Sequence, residues 1–181
     1  MRDDCFTIEN GILTGYWGEE ENVEVPRRVK EIGDMAFGHS GCTNIKSIVL
    51  PNGLKRIGDS AFELCQNMEK INIPQTVTEI GVAAFCECER LREITLPNKP
   101  HSIGERAFFR CISMQSITFP ASTIEIGITP FLSCEGLQSI EVDNDNPMLA
   151  TVDGVLYNKD RTDVILDPHA RRDKTLRRPT A

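Results

Sequence analysis

A chain of 181 residues, 40% hydrophobic and 26% charged, has enough apolar material for one sizeable core, which excludes a disordered polypeptide. A net charge of -7 and a pI near 5.0 disfavour nucleic acid or an anionic membrane as the main partner. No apolar run reaches the roughly 20 residues that a membrane helix requires, so membrane insertion is not expected.

The opening, MRDDCFTIEN, carries acids where a secretory signal has basic and apolar residues. It does not read as an export signal, which leaves a cytoplasmic protein or a chain whose signal has been removed. Residues 1–22 read as capping strands. In ILTGYW (12–17) polar and apolar residues alternate, Tyr16 and Trp17 lie near the tip, and Gly15 and Gly18 mark turns.

From residue 23 the chain repeats itself. Pro26, Pro51, Pro74, Pro97 and Pro120 are spaced by 25, 23, 23 and 23 residues. Gly33, Gly58, Gly81, Gly104 and Gly127 keep the same step, as do Phe37, Phe62, Phe85, Phe108 and Phe131. Cys42, Cys65, Cys88, Cys111 and Cys134 form a fourth register. A two-residue insertion in GHSGC (38–42) accounts for the single spacing of 25. Residues 23–142 therefore comprise five units, whose period of 23 falls in the leucine-rich-repeat range of about 20–29.

Within a unit, LREITLP (91–97) predicts a half-buried strand with Leu91, Ile94 and Leu96 inward, closed by Pro97. TVTEIG (76–81) predicts a shorter extended segment with Val77 and Ile80 inward, and Gly81 permits a bend. Pro100 and Thr123 stand where Val29 and Val77 stand, which weakens the short strand in those two units. VAAFCEC (82–88) predicts one or two helical turns, with Asp34, Asp59 and Glu105 placed to favour a helix N-terminus and Pro130 tolerated there. The expected fold class is an α/β solenoid with a parallel strand face and short helical turns. One unit cannot close a core, so each is completed by its neighbours and both ends need caps.

After the array, residues 143–168 predict a β-hairpin element, with VDGVLYNKDRTDVIL read as two strands around NKDR. Residues 169–181 form a basic tail containing Arg171, Arg172, Lys174, Arg177 and Arg178. It reads as a solvated tail, a docking tail, or the start of a further repeat.

The pattern IG-x-x-AF-x-x-C-x-x-L-x-x-I-x-LP, followed closely over residues 23–142, resembles the BspA-like leucine-rich repeats of bacterial surface proteins. Residues 6–26 resemble the strand pair that leads into such arrays, and residues 146–166 the hairpin element that often follows them. The resemblance implies a curved, right-handed solenoid, commonly exported, with adhesion or protein-binding roles.

Chemical candidates are few. Stacked cysteines would lie about 5 Å apart, within disulfide reach, but five ladder members cannot all pair; reduced, packed thiols are expected. Cys86 and Cys88 have a spacing poor for zinc or redox work, and His39, His101 and His169 fall in unrelated places. DNDNP (143–147) reads as an Asx-initiated turn in preference to a calcium loop. Catalytic residues, metal and cofactor are all expected to be none. The candidate binding face is the outward side of the strands: Ser47 and Val49, Lys70 and Asn72, Glu93 and Thr95, Ser116 and Thr118, Ser139 and Glu141. It is polar and of mixed charge, without aromatic anchors. It suits a protein ligand, or a glycan; a spacer without a ligand is the competing reading. The sequence leaves the oligomeric state open.

Overall fold

The computed structural model describes residues 3–38, 42–98, 102–122 and 125–168. The histidines at 39, 101 and 169, the residues at 100 and 123, and the basic tail lie outside the described residues.

Among the described residues the chain winds through two ladders whose strands are parallel apart from the N-terminal hairpin. One contains β1 (Phe6–Glu9), β2 (Ile12–Tyr16), β4 (Glu31–Ile32), β6 (Arg56–Ile57), β8 (Glu79–Ile80), β10 (Ser102–Ile103) and β12 (Glu125–Ile126), in that order. The other runs β3 (Asn22–Glu24), β5 (Ser47–Val49), β7 (Lys70–Asn72), β9 (Glu93–Thr95), β11 (Ser116–Phe119) and β13 (Ser139–Val142). Each coil gives one strand to each ladder. β10 and β12 are present despite the substitutions at 100 and 123, because their registers Ile80↔Ile103 and Ile103↔Ile126 are set by the coil before.

The repeating residues have separate jobs. Proline ends the longer strand, and its carbonyl then accepts from the N–H three residues on, as in Pro26–Val29, Pro51–Leu54 and Pro74–Val77. That turn swings the chain into the shorter strand and buries Val29, Leu54 and Val77 completely. Glycine continues the short ladder: Gly58, Gly81 and Gly104 donate to the carbonyls of Ile32, Ile57 and Ile80 at 2.8–2.9 Å. Only Gly11, Gly53 and Gly154 among the described glycines have positive φ, so Gly81 is required by close approach of coils and not by a bend.

The expected helical turns are absent from the described residues, and the fold is a β-solenoid of about five turns, not α/β. The N–H groups of VAAFCEC alternate between two destinations. Ala84 and Cys86 bond back to Gly81 and Ala83, whereas Ala83, Phe85 and Glu87 cross to the carbonyls of Glu105, Ala107 and Phe109 in the next coil. A helix sends the N–H groups beyond its first turn to carbonyls four residues back in the same segment, not across to another coil. Left-handed backbone at Ala83 (φ 53°) and Glu87 (φ 59°) makes the alternation possible. The acids placed at a helix start act differently as well. Asp34 accepts the N–H of Asp59 at 2.9 Å, and Asp59 accepts that of Val82 at 2.8 Å. Arg56 ties three coils through Asp34 at 3.1 Å and Glu79 at 3.0 Å.

The phenylalanines do form a column. Ring centroids of Phe37, Phe62, Phe85, Phe108 and Phe131 follow one another at 4.9, 5.2, 5.3 and 5.2 Å. Tyr16 and Phe6 extend it at the N-terminal end, at 5.2 and 5.1 Å. Phe119 closes it with an edge-on contact to Phe131 at 5.9 Å and 87°. None of these three stands at the phenylalanine position of the repeat; Phe119 takes the place that Leu96 holds one unit earlier.

Both ends differ from the sequence reading. Gly15 lies inside β2 and not in a turn; the β1–β2 connection is Asn10–Gly11, with φ of 51° and 82°. Such values are the requirement of a tight two-residue hairpin. The C-terminal element has three strands instead of two: β14 (Leu149–Val152), β15 (Val155–Asn158) and β16 (Val164–Leu166). Asp153–Gly154, at φ 50° and 79°, joins the first two.

Asn146 fixes this element to the array. It is fully buried. Its amide nitrogen donates to the carbonyls of Pro120 and Ser122, at 2.6 and 3.1 Å. Its amide oxygen accepts the N–H groups of Met148 and Leu149, both at 2.9 Å. Asn146→Ala should cost about 2–4 kcal/mol, because buried donors and acceptors lose partners together. Hydrogen exchange should speed up first in β14–β16, and unchanged protection there would contradict the anchoring role.

Candidate functional site

The ten predicted site residues all stand on the outer side of one ladder, in two rows. One row passes through Ser47, Lys70 and Glu93 and, with Ser116 and Ser139, closes at β13. The other contains Val49, Asn72, Thr95, Thr118 and Glu141. Their neighbours Ile48, Ile71, Ile94, Ile117 and Ile140 point inward and are buried, so the period-two reading placed each side chain correctly. The sequence reading missed a first strand: NVEVP (22–26) forms β3 and adds Asn22 and Glu24 to the two rows. Its V-x-V-P echo of I-x-L-P was the available signal.

Part of this face is committed to holding coils together. Ser47 donates to the Asn22 side chain at 2.6 Å, and Lys46 pairs with Glu21 at 2.8 Å. The Asn72 side chain accepts the N–H of Leu50 at 3.1 Å. Two shallow depressions lie where the strands end. One, of about 570 Å³, is lined by Thr95, Asn98, Thr118, Phe119, Glu141 and Asp143. The other, of about 480 Å³, includes Glu24, Arg27, Val49 and Asn72. The first is acidic at its rim and the second of mixed charge.

The other chemical candidates resolve into structure. In DNDNP, Asp143 accepts the N–H of Asp145 at 2.9 Å, which is an Asx turn. The Lys159 ammonium donates to the carbonyls of Asn144 and Asn146, oxygens a calcium ion would have needed. Burial pushes the thiols of Cys65, Cys88 and Cys111 well up. Burial, then Glu63 and Glu87, pushes Cys86 up to about 11. Thiols so protonated at neutral pH are poor nucleophiles. Burial and the hydrogen bond to Glu20 likewise push the Tyr16 phenol up.

Parallel strands in register, a glycine and an aromatic column, and one coil per short repeat define a solenoid of the leucine-rich-repeat class. The model of the BspA type leucine-rich repeat region matches residues 8–138 in six copies, and the chain belongs to that family. A crystal structure of a leucine-rich repeat protein from T. pallidum is similar at 29% identity and a TM-score of 0.73, over 77% of this chain and 70% of that one. A Bacteroides ovatus leucine-rich repeat protein is similar at 35% identity and 0.65, over 75% of this chain but 38% of that one. The pneumococcal vaccine antigen PcpA shares the fold at 23% identity and 0.68, over 92% of this chain and 54% of that one. Comparison with curated proteins gives no match.

Proposed function

We propose that the chain is a non-catalytic binding module of a bacterial cell-surface protein, which engages a protein ligand through the outer face of the β3–β13 ladder. The observation that carries this reading is the six-stranded parallel face itself, which holds two rows of polar side chains at fixed spacing. Such a surface recognises by repetition and shape more than by one deep pocket. The site centres on the stretch from Lys70 to Glu141, where the acidic depression opens beside Thr95, Thr118 and Glu141. Membership of the BspA-type repeats is what supports the surface location and the adhesive role in this reading. A spacer role is favoured by a different observation: the Glu21–Lys46, Asn22–Ser47 and Asn72–Leu50 contacts commit the N-terminal half of the face to the array.

Affinity capture from the surroundings of the source bacterium separates the two. The double reversal Lys70→Glu, Glu93→Lys keeps the cross-strand pair but inverts its pattern. It should reduce capture about tenfold, roughly 1.4 kcal/mol. Capture at the wild-type level would move the site off this face, and capture of nothing by the wild type would favour the spacer.

A further inference from the structure

The two depressions on the strand face lie at equivalent places, where the longer strands of successive coils end. They differ in charge. The N-terminal one carries its own cation, Arg27, beside Glu24. The C-terminal one, of about 570 Å³, is a groove lined by apolar Leu96, Phe119, Pro120 and Val142, with Glu141 and Asp143 along one side and no basic residue.

Both acids stand where the array departs from its own pattern. Asp143 follows Pro120 by 23 residues, at the position that holds proline in each of the five units. Unlike proline it has an N–H, which donates to the Phe119 carbonyl at 2.9 Å and clips it to the coil before. One oxygen of its carboxylate accepts the Asp145 N–H at 2.9 Å, which steadies the side chain and leaves the second oxygen open. Glu141 continues the row of Val49, Asn72, Thr95 and Thr118, all uncharged, and is exposed. Neither acid has an ion pair among the described residues. Lys159 and Arg161 border a further depression that also touches Asp143. The Lys159 ammonium, however, is committed to the carbonyls of Asn144 and Asn146. Apolar walls ending in open carboxylates match a side chain that has a methylene stem and a cationic head.

We propose, resting on the binding-module reading above, that this groove seats a lysine or arginine side chain from an extended segment of the protein ligand. The stem lies on Pro120 and Val142, and the cation sits between Glu141 and Asp143. The N-terminal depression does not take the same side chain, because Arg27 already places a positive charge there.

The test measures fluorescence polarisation of a labelled, end-capped hexalysine peptide with the full chain. Salt is held at ~0.15 M, where exposed charges more than about 8 Å apart are largely screened. The double variant Glu141→Gln, Asp143→Asn keeps both side-chain shapes and the acceptor of the Asx turn; it should weaken binding about tenfold or more. Glu9→Gln with Glu19→Gln changes the net charge equally at exposed positions of the N-terminal cap, and should stay within about twofold of wild type. Circular dichroism verifies the fold of both. In an NMR titration the amide shifts should be largest at Thr95, Thr118 and Val142. Equal weakening in the two double variants, or shifts centred elsewhere, would mean attraction by net charge alone and overturns the proposal, as does a wild type that does not bind the peptide. Failure of the peptide while the Lys70, Glu93 reversal still lowers protein capture removes the groove alone. Groove binding without any captured protein leaves the lysine site standing and removes the binding-module role.

Discussion

Phe85→Ala lowers the unfolding free energy by about 4 kcal/mol, within the usual range of roughly 3–5 kcal/mol for truncating a buried phenylalanine. Phe85 is fully buried between Phe62 and Phe108, whose rings lie within 13° and 2° of its own plane. Its removal opens a gap between coils whose backbones are tied by cross-coil bonds on both sides, so the neighbours cannot collapse into it. Phe131 has one parallel partner, Phe108, and one edge-on partner, Phe119. Phe131→Ala therefore costs less, about 3 kcal/mol, because fewer stacked layers depend on it. Denaturant titration of both variants measures the difference. Equal losses would mean that the column does not act as a series of stacked layers.

Gly104→Ala destabilises the array by about 3 kcal/mol or more, although it adds a single methyl group. A Cβ at Gly104 would stand 2.4 Å from the Gly81 carbonyl carbon and 2.4 Å from the Val82 nitrogen. Both are backbone atoms, so no side chain can swing aside. The coils must part, and the Gly104 bond to the Ile80 carbonyl weakens with them. Stability in a solenoid is a sum of coil and interface contributions, so one weakened interface lets its two sides unfold separately. The thermal transition should broaden or split, with a lower denaturant slope. A single sharp transition within 0.5 kcal/mol of wild type would show that the column tolerates a side chain (on the order of an ordinary surface substitution).

These two variants mark how much a linear reading can reach. Phenylalanine, glycine, proline and cysteine recur at a constant step because each coil meets the same neighbour in the same way. The repetition therefore revealed the solenoid, the aromatic column and the alternation of the strand face, including all ten outward residues. The helical reading of VAAFCEC failed for a reason outside the segment. Its composition suits a helix, but alternate N–H groups are claimed by carbonyls one coil away.

The same limit applies at the ends and on the binding face. Phe6 and Tyr16 enter the aromatic stack without sharing its spacing, since a cap meets the array on one side only, and Phe119 enters it from the strand position that Leu96 fills one unit earlier. Asn146 looked like a turn residue and is a buried four-bond anchor. On the strand face, Asn72 and Ser47 looked equivalent to their neighbours until their hydrogen bonds to adjacent coils separated them.

Residue order alone was enough for the period, the inward and outward positions and the family, because stacking forces every layer to repeat the same apolar pattern. Where each backbone N–H goes, which polar side chains are already spent, and how the array is closed required the coils in place. Those outcomes depend on atoms about 23 residues distant in sequence and one strand spacing of ~4.8 Å away in space.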